Sequence, residues 1–299
     1  FGHNIENRRL TAALEAHATE MNALVRISDR ATSIEPGERT VVVRTACDCR
    51  VTARLVIGAD GRGSLCRLGA GIEAEVRQYP QTAFSLNLAH SRTHEDTSTE
   101  FHTEQGPFTL VPLPGQRSSV VWVAGPREAK RVTCLDDGAL SLEIERRSHS
   151  ILGRTVVEPG RGTFPLAIVL AQRLAGRRVA LVGEAAHVLP PIGAQGLNLG
   201  LRDAAVIAEL VVAAHRLGAD VGSEELLARY ERMRAADVMS RALAVDFLNR
   251  TLLSDFLPMQ GARGLSLYLI DRIPPLRRAL MREGVFPAAA PRLMRGEPL

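Results

Sequence analysis

Residues able to do chemistry gather in two short stretches of this chain. In the longer one, Gly183-Glu184-Ala185-Ala186-His187 follows the apolar run Val179–Val182. Gly193, Gly196 and Gly200 then punctuate a loop stiffened by Pro190 and Pro191, and the apolar pattern turns helical from Gly196 through Leu210. Glycines let a ligand approach the main chain, and a helix start offers amides and the positive end of the helix dipole. That layout suits a phosphorylated or otherwise anionic cofactor. The shorter stretch, Gly58-Ala59-Asp60-Gly61-Arg62-Gly63-Ser64-Leu65-Cys66-Arg67, closes a strand-like run. Its glycines permit a tight exit, Ser64 can cap a short helix, and Asp60 falls at a strand's carboxyl end, where ligands of open α/β sheets lie. Read singly, each stretch is also an ordinary strand–turn–helix.

The other reactive side chains point nowhere so definite. Cys47, Cys49, Cys66 and Cys134 have no zinc-type or Cys-x-x-Cys spacing and read as reduced thiols. His90, His94 and His102 lack a carboxylate at dependable ligand spacing, so exposed strand or loop histidines are expected and no metal site. His187 is the one weak candidate for a base, but it directly follows a buried strand. No Ser/His/Asp triad and no carboxylate pair is evident.

Of the 299 residues 45% are hydrophobic, enough for one large or two ordinary cores. The net charge of +4 comes almost wholly from arginine, with Lys130 the only lysine. The arginines are scattered and only 4% of residues are aromatic, which argues against nucleic acid as a partner. No apolar run reaches the roughly 18 uninterrupted residues of a membrane span, and no signal-peptide pattern opens the chain; a cytoplasmic location is expected.

The elements that must position these stretches follow from periodicity. Leu10, Ala13 and Leu14, with His17, predict a helix. Leu24–Ile27, Thr40–Arg44 and Arg50–Ile57 predict an antiparallel meander whose last strand enters the main sheet. Short alternating strands at Phe84–Leu88, Thr99–His102, Phe108–Leu113 and Ser119–Val123, with turns at Gly106-Pro107 and Pro114-Gly115, predict a separate antiparallel sheet. A helix over Leu140–Ile151 crosses it, Thr163–Leu166 returns the chain, and Trp122 reads as core filler. Ser223 caps a further helix running to Leu248. The basic, apolar stretch Leu252–Phe286 can lie on an anionic membrane surface or pack on the protein. The expected fold class is α/β (α+β). The expected domains are 1–73, 74–165, 166–250 and a helical tail, 251–299.

Taken together, Gly183-Glu184-Ala185-Ala186-His187, Pro190-Pro191, Gly193-x-x-Gly196-x-Asn198-x-x-x-x-Asp203 and Asp60-Gly61-x-x-Ser64-x-x-Arg67 resemble the two downstream signatures of the single-component aromatic-ring flavin monooxygenases. Within them the chain is most similar to the ubiquinone-biosynthesis hydroxylases. The resemblance implies a partial Rossmann-like FAD-binding domain, an inserted antiparallel substrate domain and C-terminal helices. It implies FAD contacts from Asp60, Gly61, Arg67, Gly183, Glu184, Pro191, Gly193, Gly196, Leu197 and Asn198. The carboxylate at 184 would reach a ribityl hydroxyl, and the family usually has Asp there. An Asn-Arg-x-Leu sequence in the relatives assigns Arg8 to the flavin as well; as a residue by itself, Arg8 is equally a solvated first-turn charge.

By the same resemblance NAD(P)H reduces FAD, and a flavin C4a-hydroperoxide passes oxygen from O2 to a phenol ring, a prenylated ubiquinone precursor or a related aromatic. A peripheral membrane contact, at the inner membrane, or a ubiquinone-biosynthesis complex through the tail belongs to that picture. The Gly-x-Gly-x-x-Gly strand–loop–helix that opens such proteins has no counterpart before Arg8. A truncated chain that binds FAD poorly is therefore expected. Two other readings stay open. One is different redox work on the same fold, such as prenyl-chain reduction; halogenation would need a lysine, and Lys130 is a poor one. The other is a non-catalytic accessory protein.

Overall fold

The helical pattern at the start of the chain becomes α1 (Asn7–Glu20), none of whose residues is buried. The computed structural model describes residues 3–103, 106–191, 195–252, 272–275, 278 and 290–299. The meander follows as β1 (Ala31–Pro36), β2 (Val41–Thr45) and β3 (Arg50–Ala53), paired antiparallel in that order. Its first strand is therefore not Leu24–Ile27. Leu24, Val25 and Ile27 stand about half-exposed or more and have no partner strand among the described residues, whereas Ser33 to Pro36 pair with Arg44 to Val41. The single run expected over Arg50–Ile57 also divides. β3 stays on β2, and after Arg54-Leu55 the chain enters another sheet as β4 (Val56–Gly58).

Beyond β4 come α2 (Leu65–Gly69), the long β5 (Ala74–His90), β6 (Thr99–Thr103), β7 (Gly106–Leu113) and β8 (Arg117–Ala124). Gly106-Pro107 is not a turn, because both residues lie in the β6–β7 ladder opposite Thr103 and His102. Glycine is required there by packing as well as by its φ of 136°: a Cβ would sit 2.6 Å from Val123 Cγ1. The chain continues through α3 (Pro126–Thr133), not anticipated from periodicity, and α4 (Asp137–Arg147). Asp136 caps α4 by accepting from the Ala139 N–H at 2.7 Å. The helix stops before Ile151 because His149 and Ser150 take positive φ.

The last strands are β9 (Thr155–Val157), β10 (Gly162–Ala171), β11 (Ala175–Gly176), β12 (Val179–Leu181) and β13 (His187–Val188), followed by α5 (Gln195–Arg216) and α6 (Glu224–Leu252). Ser223 caps α6 as expected, its Oγ accepting from the Leu226 N–H. The basic tail expected over 252–286 lies, apart from Leu252, 272–275 and 278, outside the described residues.

Two compact units result, one built mainly from 28–78 and 167–248, the other mainly from 1–27 and 79–166. In the second, strands run in the order β5-β8-β7-β6, with β9 on β5. Their inward residues surround Trp122, which is 1% exposed, with Phe108 edge-on at 5.7 Å and Phe84 at 6.1 Å. The Arg147 guanidinium stacks 4.3 Å above the indole, a favourable use of the ring's negative face. His90 of β5 is buried rather than exposed and bonds Ser118, while His94 faces two main-chain carbonyls and His102 pairs with Glu100. In the first unit, β11-β12-β4 form a small sheet whose Val179, Ala180 and Leu181 are fully buried between α2, α5 and α6.

Candidate functional site

β4 and β12 are parallel neighbours in register, Val56 opposite Val179 and Gly58 opposite Leu181, and the Val182 N–H continues the ladder to the Gly58 carbonyl. Parallel strands end on the same edge. The loops that follow them, Ala59–Ser64 and Gly183–Pro191, therefore leave the sheet side by side, the placement that ligand sites of open α/β sheets use.

Each loop is shaped by its own side chains. Asp60 accepts from Ser64 Oγ at 2.6 Å and from the Cys66 N–H at 3.0 Å. Ser64 Oγ in turn accepts from the Arg67 N–H at 2.9 Å and so caps α2. Partial burial raises the pKa of Asp60, but the Ser64 and Cys66 hydrogen bonds outweigh it and hold the carboxyl below its ordinary range. Burial also pushes the Cys66 thiol up to about 12, helped by the Asp60 charge, so this cysteine stays protonated. Gly58 is packed tightly: a Cβ there would lie 2.5 Å from Cys66 Cβ.

Arg67 joins the two loops. It is buried, and its Nη1 donates to the Ala185 carbonyl at 2.8 Å while Nη2 donates to the Arg62 carbonyl at 2.9 Å. A second tie runs through Asp203 of α5, which accepts from the Gly183 N–H at 3.0 Å, from His187 Nε2 at 2.6 Å and from Arg234 Nε at 2.7 Å. The His187 and Asp203 side chains are each 1% exposed, and among the described residues His187 Nδ1 has no hydrogen-bond partner. Through Nε2 and Asp203 the ring braces β13 against α5. Tyr230 of α6 completes the brace with a hydrogen bond to the Leu181 carbonyl at 2.7 Å. Gly183, with φ 59°, and Gly200 meet back to back: a Cβ on Gly200 would sit 3.2 Å from Gly183 Cα.

What remains open on this edge is what a ligand would need. Glu184 is exposed, and its carboxylate makes no bond among the described residues. Gly61 requires glycine by its φ of 78°, while Gly63 and Gly196 have no protein atom within 4 Å of where a Cβ would project. Packing does not explain glycine at those two positions, and the open main chain there leaves room for a ligand. α5 begins at Gln195, and a helix leaves the N–H groups of its first turn, here including Gly196 and Leu197, without intrahelical acceptors. Leu197, at 56% exposure, and Asn198 also face outward. These residues fit FAD, which brings a ribityl chain, an anionic ring edge when reduced and a planar ring. Pro191 is exposed beside them, and Gly193 lies outside the described residues. Arg8 belongs to the other unit, where it is 75% exposed and pairs with Glu6 at 2.8 Å.

Four of the residues that hold this edge together, Arg234, Asp237, Arg241 and Tyr230, carry no signature of their own. The arginines and Asp237 stand at helical spacing, which announces an ion-pair face on α6, yet only the fold reveals that α5 is its neighbour.

Residues 3–244 match the family model described as FAD binding domain. A ubiquinone hydroxylase, UbiL, of Rhodospirillum rubrum is 38% identical over all of this chain and 71% of its own length. The 3-demethoxyubiquinol 3-hydroxylase of Escherichia coli is 31% identical over 78% of this chain and 59% of its own. Among solved structures, the OxyS anhydrotetracycline hydroxylase of Streptomyces rimosus superposes with a TM-score of 0.70 at 20% identity, covering 94% of this chain and 56% of that one. The last likeness shows the fold alone. The chain thus spans little more than half the length of several of the proteins it matches. With the family model covering most of its residues, it belongs to the FAD binding domain family.

Proposed function

We propose that this chain is part of an FAD-dependent monooxygenase that hydroxylates an aromatic ring, of the prenylated-phenol class handled in ubiquinone biosynthesis, with NAD(P)H as reductant and O2 as co-substrate. The observation that carries the reading is the parallel pair β4–β12, which brings the Asp60–Ser64 and Gly183–Pro191 loops to one edge where Arg67 ties them. The names of the ubiquinone-hydroxylase relatives support the reaction class.

In this reading Gly61, Gly183 and Gly196 admit the cofactor to the main chain, and Glu184 takes a ribityl hydroxyl. The amides of Gly196, Leu197 and Asn198 receive the N1–C2=O edge, where negative charge accumulates on reduction; preorganised donors cost nothing to reorient at that moment. The flavin, when bound, supplies electron transfer from NAD(P)H and activation of O2. His187 bonds Asp203 through Nε2 and in this reading is structural, bracing the loop that meets the cofactor. The basic apolar stretch over 252–286 would rest on a membrane surface and receive the prenylated substrate there.

Turnover of the protein with FAD, NAD(P)H, a prenylated phenol and isotope-labelled O2 tests this. The expected product carries one labelled oxygen on the ring. NAD(P)H oxidation that instead adds two hydrogens to the prenyl chain, or no reaction with FAD bound, would overturn the hydroxylase reading.

A further inference from the structure

The first turn of α5 is held from behind by α6. Asp237 gathers three arginines: Arg234 Nη1 and Arg241 Nε each donate to it at 2.7 Å, and Arg202 Nη1 of α5 approaches at 3.2 Å. With Nε committed to Asp237, Arg241 turns Nη1 onto Gln195 Oε1 at 2.7 Å. The Arg241 side chain is only 12% exposed. Such a long side chain normally loses rotamer entropy when it is fixed, and a guanidinium already aligned by one carboxylate loses less for each added bond. Gln195 is the residue on which α5 starts, directly before Gly196 and Leu197. The restraint is therefore delivered where the helix presents its unused amides.

We propose that Arg241 is a positioning residue: aimed by Asp237, it pins Gln195 and so presets the first turn of α5 for the anionic edge of the flavin. The inference rests on the reading of α5 as the flavin contact given under Proposed function. It adds a residue outside both motif loops, on a different helix, whose role is to stop the helix start from fraying. A donor array held in place before binding gains affinity by avoiding the cost of ordering it.

Two measurements separate the strut from its purpose. Hydrogen exchange of the FAD-free protein at the Leu199 and Gly200 amides reads the strut, because their helical acceptors are the carbonyls of Gln195 and Gly196. FAD titration reads the purpose. In Arg241→Met both amides should exchange about tenfold faster and FAD should bind about tenfold more weakly, the size of one charged hydrogen bond. Gln195→Leu should reproduce both changes, the double variant should be no worse than either single one, and Arg241→Lys should recover part of the loss. Unchanged exchange in Arg241→Met, or effects that add in the double variant, would overturn the strut. Should Arg241→Met fail to fold, Gln195→Leu and Arg241→Lys decide by the same criteria. FAD bound equally well by wild type and variants overturns the positioning role alone, whereas a wild type that shows no FAD binding even at large excess overturns the flavin reading with it.

Discussion

Asp237 shows how much one carboxylate can hold. Burial alone would raise its pKa, but the hydrogen bonds of Arg234 and Arg241 dominate and lower it from 3.8 to about 2. A carboxyl depressed in the folded protein stabilises it fully above the unfolded value and ceases to do so as pH falls through the folded one. For Asp237 the window lies between about pH 4 and pH 2, and the contribution at neutral pH is about 2 kcal/mol. Denaturation of wild type and Asp237→Asn at stepped pH should therefore show a stability difference that narrows across that window. A difference independent of pH would mean that the arginines do not set the acidity of this group. Asp203 is used differently. It is shared among the Gly183 amide, His187 and Arg234, and its role is to fix where a loop begins.

At the scale of elements, the contact that matters most is the seat of α2 on β4. A Cβ on Gly58 would stand 2.5 Å from Cys66 Cβ, with both backbones committed, Gly58 to the β12 ladder and Cys66 to Asp60. Neither can give way. Gly58→Ala should cost about 1–3 kcal/mol of stability in chemical denaturation, and an unchanged midpoint would show that the turn is looser than its hydrogen bonds imply. The apolar run Val179–Val182, the helix after Gly196 and the caps Ser64 and Ser223 were legible from the residues, because burial of a β-branched run and capping chemistry are local. The start of the meander was not. Leu24–Ile27 and Ala31–Pro36 are both plausible strands, and only a partner, β2, decides between them. Gly106-Pro107 misled for a related reason: a glycine demanded by a neighbouring strand, Val123, looks in sequence like one demanded by a turn. α6 was legible as a helix, but the ion-pair face that reaches Gln195, Arg202 and Asp203 was not, since nothing local says which helix lies opposite.

At the scale of the molecule, the fold narrows the chemistry without naming the substrate. The same architecture at 20% identity serves an anhydrotetracycline hydroxylase, so function has to be read from the site. The proposed site is the edge where two parallel strands release their loops, and Arg67 and Asp203 tie that edge together. Among the described residues no helix is long and apolar enough to cross a membrane. The central claim, that these two loops and the start of α5 form one flavin surface, is tested most directly by amide hydrogen exchange with and without FAD. The account predicts that FAD slows exchange together at residues 60–63, 183–184 and 196–198. Binding of FAD that protects other amides and leaves these three segments unchanged would contradict it.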